Sequence, residues 1–403
     1  MDLLEGVRII DWSQAQQGPV ATTVLGSWGA DVIKIEHRER GDVGRGVEKM
    51  HGGIEQALPH GLNTYFEVNN LNKRCLAIDL KQPHGKEAIY RLVEKADVFV
   101  HNFKAGTAER LGLDYSTLSQ YNPRLIYAAA SGYGPEGPDS TKPVYDYAAQ
   151  ARSGLMNACG EPGMPPIYSS LGLVDQAGAH GLVTGILAAL LARERFGIGQ
   201  EVNVSLLGSA MFLMGLNIGC MLLKHEEFPR FSRLEPSNAL WNHYECADGR
   251  WICPAMLGTD EDWEKFCAAM GLEELGHDPR LKSVPRRAEH GGELAAELRR
   301  IFKTKPAAEW DQILTKEGVG CAVVQKISEL PSDPQVIANE YIQDFDHPVL
   351  GQIKVFGNPF KLSKMPARPR LPAPVLGQHN EEILLEAGYT WDEIVALKDR
   401  EVI

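Results

Sequence analysis

Asp175 stands at the mouth of a long apolar stretch, Ile167 to Ala192, reading IYSSLGLVDQAGAHGLVTGILAALLA. Behind it Ala177, Leu182, Val183, Ile186, Leu187, Leu190 and Leu191 recur at helical spacing, and Gly178, Gly181 and Gly185 let another backbone come close, so the pattern predicts a buried helix. An Asp in that place is first of all a helix cap, because its oxygen accepts from the orphan N–H groups of the first turn and the helix dipole favours its ionised form. A second group of candidates is basic and aromatic. Asn102, Phe103 and Lys104 follow an apolar strand in HNFKAG, Arg110 lies on the next helix, and Lys73, Arg74 and Lys81 flank an earlier strand. Such residues at strand ends suit a nucleotide, while for each Lys and Arg alone a solvated surface charge is the plain reading.

The elements that would position these residues follow an α/β pattern. Val7 to Asp11 reads as a strand, WSQAQQGP as a turn, Val20 to Gly29 as a helix and Asp31 to Glu36 as a second strand. A second unit follows: strand Leu76 to Leu80, helix Gly85 to Lys95, strand Val98 to Val100; Leu125 to Ala130 adds another strand before the Gly- and Pro-rich SGYGPEGPDSTKPVYDY loop. Repeated β-α-β units predict an open, mainly parallel, Rossmann-like sheet, with ligands beyond the carboxyl ends of its strands. The first turn lacks GxGxxG, which argues against dinucleotide binding in the usual manner. His37 to Asn63 reads as a long functional loop.

Past residue 203 the pattern changes. Val204 to Leu223 reads as helical, with Met211, Met214 and Met221 as packing residues. WNHYECADG and RWICPAML form a hairpin pair around an Asp-Gly turn, followed by a helix at Asp260 to Met270, helical stretches at Glu293 to Phe302 and Ala307 to Glu317, and a strand at Val319 to Gln325. The expected division is residues 1–225 as a large α/β domain, 226–330 as a small α+β domain, and 331–403 as an extended connector that returns to the large domain through helices at Glu381 to Ala387 and Trp391 to Leu397.

Composition narrows the function. With 41 basic and 53 acidic residues the net charge is −12, which argues against a nucleic-acid binder. Seven scattered cysteines without a CxxC pair suggest buried thiols in a reducing cytoplasm, and no metal set stands out. The N-terminus lacks signal-peptide character, and the apolar tracts, broken by Gly, Thr and His, are not read as membrane spans.

Taken together, LEGVRIIDWS, Gln16-Gln17-Gly18-Pro19, GADVIKIE, NKRCLAIDLK, ADVFVHNFKAG, RLIYAAASGYG, VYDYAAQARSG and LVDQAGAHGLVTGILAAL resemble, in that order, the class III coenzyme A transferases. That family includes the formyl-CoA:oxalate and carnitine CoA-transferases and alpha-methylacyl-CoA racemase. The resemblance runs from Leu4 to about Leu223, with an echo at GQHNEEILLEAGY. It implies that Asp175 is a nucleophile that passes through an aspartyl anhydride and an aspartyl-CoA thioester. It also implies that Gln16 and Tyr145 share the active site, that Asp146 is the family's acidic neighbour, and that Tyr65 is an aromatic on the substrate side. For CoA, which is a substrate and not a resident cofactor, the matching positions are His37, Arg38, Ile78, Lys81, Asn102, Phe103, Lys104 and Arg110. The oxalate enzyme carries Arg where this chain has His37, so Arg38 is expected to take over that phosphate contact.

The resemblance further implies an interlocked homodimer of threaded chains, for which the Pro-rich stretch near Lys364 to Gly377 provides extended chain. The oxalate enzyme's glycine-rich flap has no counterpart here, which points to a larger acceptor acid, with succinyl-CoA or a similar thioester as donor. Two alternatives stay open. A racemase would need a His-Asp pair, and its histidine position holds Tyr145, while His180 is expected to pack on its helix. A non-enzymatic CoA-ester binding protein would use the same pocket without acylating Asp175. Asn238, Trp241, Asn242 and His243 either line an acceptor pocket or belong to a hairpin core.

Overall fold

A computed structural model describes residues 2–403, with only the backbone of His51. The chain divides into two compact units. The first comprises residues up to 157, 168–227 and 334–403; the second comprises 158–167 and 228–333. Residues 158–167 therefore leave the expected 1–225 block. They are drawn into the second unit by Arg233, which pairs with Glu161 at 3.0 Å, and by Arg230, which donates to the carbonyls of Glu161 and Pro165.

The first unit is built on six parallel strands: β1 (Arg8–Trp12), β2 (Asp31–Glu36), β3 (Lys73–Ala77), β4 (Val98–His101), β5 (Ile126–Ser131) and β6 (Gln200–Ser205). Their order across the sheet is 3-2-1-4-5-6, the dinucleotide-fold order, in which the strand sequence reverses between β1 and β4. Helix α1 (Gln17–Ser27) links β1 to β2, α2 (Thr64–Asn69) precedes β3, and α3 (Pro83–Val93) links β3 to β4. Helices α4 (Asp146–Arg152) and α5 (Leu173–Phe196) follow β5.

Both faces of the central strands are covered, which is why β1, β2 and β4 are buried along nearly their whole length, whereas the edge strand β6 alternates. On one face Ile10, Ile33, Leu76 and Phe99 pack against Ala88, Ile89 and Leu92 of α3 and against Ile383, Leu384 and Ile394 of the C-terminal helices. On the other, Ile9, Val32, Val98 and Ile126 meet Val20, Val24 and Leu25 of α1 and Leu182, Val183 and Ile186 of α5. Among the described residues α5 is the one single helix long and apolar enough to cross a membrane, but it packs here on the sheet. It is not buried throughout, since Leu191 and Phe196 are exposed.

The 37–63 loop holds short 3-10 turns and a two-residue ladder pairing Lys49 with Glu55. The segment read as one helix from Val204 breaks into Leu206–Leu213 and Gly215–Lys224, bent by 79°. Of its methionines Met214 is buried, whereas Met211 and Met221 are exposed. In the second unit Tyr244–Glu245 and Cys321–Val323 flank Trp251–Pro254 in an antiparallel sheet. Helices Asp260–Met270, Gly291–Phe302 and Ala307–Lys316 pack around Tyr244, Trp263, Phe266 and Phe302. Asn242 and Tyr244 belong to this core, with Tyr244 Oη donating to the Ala239 carbonyl at 2.7 Å. Of the seven cysteines Cys75, Cys246 and Cys267 are buried and the other four half-buried.

Candidate active site

The reversal between β1 and β4 opens a crevice at the carboxyl ends of the strands, and the Ser13–Gln16 turn lies in it. Asn102, just past β4, holds this turn by accepting from Gln14 N at 2.8 Å and donating to Gln14 O at 2.6 Å. Asn102 thus spends its amide on the backbone of the turn. A cleft of about 220 Å³ then brings Asn102, Phe103, Lys104 and Tyr145 together with Gln14 and Ala15. Phe103 leans on Trp12 with ring centroids 4.3 Å apart, and Lys104 is exposed.

Gln16 ends the turn and precedes α1. Its side-chain amide lies so close to Gly172 that a Cβ there would sit 2.3 Å from Gln16 Nε2, and Gly172 has φ +66°. Gly172 is the residue before α5, which makes Asp175 the third residue of the helix and not its cap. The capping is done from outside. Asp146 accepts from Val174 N at 2.7 Å and Asp175 N at 3.2 Å, while its other oxygen accepts from Gln150 Nε2 and Tyr168 Oη.

Among the described residues no group hydrogen-bonds the Asp175 carboxyl. Burial, and then the charge of Asp146, push it up to about 7. Tyr65, at the start of α2, is pushed up by burial and then by Asp175 and Asp42, with Tyr145 also in electrostatic range. Gln16, Tyr65, Tyr145, Asp146 and Asp175 are thus one neighbourhood, with Tyr145 at its open side, 79% exposed.

The remaining expected CoA positions lie elsewhere along the strand ends. His37 Nδ1 accepts from Glu39 N and Arg40 N, so it shapes a turn. Arg38 is already paired with Glu39 and Glu401, and Gln82, next to the exposed Lys81, donates to the Glu401 carbonyl. Arg110 is exposed and donates to Thr107. Ile78 is only 1% exposed and belongs to the apolar core, which leaves its side chain no face for a base; this corrects the expected contact. Arg74 pairs with Asp31, Glu382 and Glu386. His180 packs edge-on against Phe360 at 5.5 Å. Among the described residues no group of three His, Cys, Asp or Glu could hold a metal.

A set of charges inside the sheet was not anticipated. Lys73, expected at the surface, is buried and bonds Asp11 at 2.8 Å, the Pro19 and Asn69 carbonyls and Asn70. Asp11 also accepts from Thr22 and Ser13. Burial alone would raise its carboxyl, but Lys73 and Lys34 overturn this and hold it at about 2. Lys34 pairs with Asp42 at 2.7 Å, and Glu36 with Arg45. The signal was present in RIIDW and VIKIE: a charge inside a strand buried on both faces must find a partner.

The family described as CoA-transferase family III matches residues 4–380, and the chain belongs to it. An acyl-CoA transferase of Fusarium pseudograminearum is 36% identical, over 99% of this chain and 88% of its own length. The (R)-2-hydroxy-4-methylpentanoate CoA-transferase of Clostridioides difficile is 31% identical over 100% of this chain and 99% of its own. The succinyl-CoA:glutarate CoA-transferase of Mus musculus is 31% identical over 96% and 86%. Among solved structures, a CAIB/BAIF family protein from Brucella suis superposes with a TM-score of 0.83 at 27% identity, covering 96% of this chain and 99% of that one. The chain is a CoA-transferase.

Proposed function

We propose that this enzyme moves CoA from an acyl-CoA donor, succinyl-CoA or a close analogue, to a carboxylic acid, with Asp175 as the acyl acceptor. The observation that carries the reading is the state of Asp175: half-buried, without a hydrogen-bond partner among the described residues, pushed up to about 7, and on the helix whose preceding residue, Gly172, lies against the Gln16 amide. A carboxylate so poorly solvated is a strong nucleophile once ionised, and near neutrality a useful fraction is ionised.

An Asp175 oxygen attacks the donor thioester carbonyl; the C–S bond breaks and CoA leaves as thiolate, giving a mixed anhydride. The thiolate attacks the aspartyl carbonyl and expels the donor carboxylate, giving an aspartyl-CoA thioester. The acceptor carboxylate displaces the thiolate to form a second anhydride. The thiolate then attacks the acceptor's carbonyl, and Asp175 is regenerated. No net proton or electron is exchanged. In this reading the Gln16 amide, which lies against Gly172, hydrogen-bonds an anhydride oxygen, and the Phe103 and Lys104 cleft receives part of CoA.

The named acceptors of the relatives, a branched hydroxy acid and glutarate, support a small carboxylic acid as acceptor. A homodimer in a reducing cytoplasm belongs to the same reading. The exposed Phe212, Leu216 and Leu223 support the dimer, and cysteines scattered without a CxxC pair support the compartment.

The test is to quench the enzyme during incubation with succinyl-CoA, treat it with hydroxylamine and map the peptides. A hydroxamate at Asp175, absent from Asp175→Ala, is expected. Full turnover by Asp175→Ala would overturn the reading, and a monomer mass by light scattering would remove the dimer from it.

A further inference from the structure

We infer that Asp42 is a positioning residue for the transfer reaction, setting Gln16 and Tyr65 at once. This rests on the proposed reading in which those two side chains face the reacting groups. Asp42 is 2% exposed, and both of its carboxylate oxygens accept hydrogen bonds. Oδ1 accepts from Ala15 N at 3.0 Å and Gly44 N at 2.8 Å, and Oδ2 accepts from Lys34 Nζ at 2.7 Å. Lys34 donates a further bond to the Ser13 carbonyl at 3.0 Å.

Each partner leads to the site. Ala15 precedes Gln16 and has φ +62°, a left-handed conformation that a residue with a Cβ keeps only when its surroundings hold it. The Asp42 and Lys34 bonds to Ala15 N and Ser13 O are what hold it, together with Asn102 on Gln14 between them. Gly44 is the floor beneath Tyr65: a Cβ on it would lie 3.1 Å from Tyr65 Cδ1 and 3.3 Å from Asp42 Oδ1. One carboxylate thus joins the turn that aims Gln16 to the turn that supports the Tyr65 ring. A buried ion pair gives little net stability compared with an apolar pair of similar size, so holding a geometry is a better account of Lys34 and Asp42 than stability.

The test is a double-mutant cycle of Asp42→Asn with Gln16→Ala, read as kcat and KM for the donor, with the melting curve recorded for each variant. Asp42→Asn is expected to lower kcat by about tenfold or more while KM stays within about twofold. In the Gln16→Ala background the same change should cost clearly less than in the parent, because one of the two groups it positions is gone. Additive effects of the two changes would overturn the inference and leave the site reading intact. A Gln16→Ala enzyme with full activity would overturn the site reading itself. Should Asp42→Asn fail to fold, Gly44→Ala keeps the Asp42 and Lys34 charges while its methyl presses on both Tyr65 and Asp42 Oδ1, at the junction the inference describes. It should lower kcat in the parent but not in Tyr65→Ala, and an equal loss in both would also overturn the inference.

Discussion

The carboxylate of Asp146 accepts the backbone N–H groups of Val174 and Asp175, so one acidic residue caps the helix whose first turn carries the other. The cap comes from a different helix, and its charge faces a second carboxyl that burial already disfavours as an anion. The helix N-terminus tolerates one of the two negative charges readily; the second is held partly protonated near neutrality.

The rate should therefore depend on pH through Asp175. In the proposed mechanism only its carboxylate attacks, so kcat/KM should rise through an acid limb near 7 and level above it. Asp146→Asn keeps an oxygen acceptor for the cap but removes the charge, and should move that limb to lower pH. A limb that stays in place would show that Asp146 does not set the ionisation of Asp175.

Stability should show the opposite side of the same shift. The folded-state value of Asp175, about 7, lies above the ordinary 3.8, so the folded state holds this proton more tightly. The resulting stability is complete below 3.8 and is lost as pH rises through about 7. Asp175→Asn should consequently melt higher than the parent at pH 8, by on the order of 2 °C, and together with it at pH 4. Differential scanning calorimetry at the two pH values checks this.

Gly172→Ala should disable the site with only moderate effect on the fold. The new methyl would meet the Gln16 amide, and the left-handed backbone disfavours any Cβ by about 1 kcal/mol. The expected outcome is a loss of kcat of at least about tenfold with an unchanged circular dichroism spectrum.

Lys73→Met should be far more damaging to the fold. It leaves Asp11 buried and unpaired beneath the Ser13 turn, at a cost of about 3–5 kcal/mol, read as a lower urea midpoint. A midpoint within error of the parent would mean that Asp11 finds another partner.

Several elements were legible from local pattern. The limits of β2, Asp31–Glu36, and of the helix Asp260–Met270 follow from apolar periodicity and flanking Gly and Thr signals. β3 was displaced: Leu76 to Leu80 carries the apolar residues, but the strand is Lys73–Ala77. Its charged entry had read as surface because the partners of Lys73 and Arg74, Asp11 and Asp31, lie far away in the chain. Asp175 was visible as a helix-start residue, but its exclusion from capping depended on Asp146, which belongs to another helix.

The sequence alone determined the succession of β-α-β units, the family, and the residue types available at the strand ends, because periodicity and short motifs are local properties of the chain. Only the tertiary structure decided which charges face each other. Asp11 and Lys73 stand 62 residues apart and Asp146 and the Asp175 N–H 29 apart, and no local pattern encodes those pairings. They arise when the packed sheet removes water and each buried charge must be satisfied by whatever the fold brings beside it.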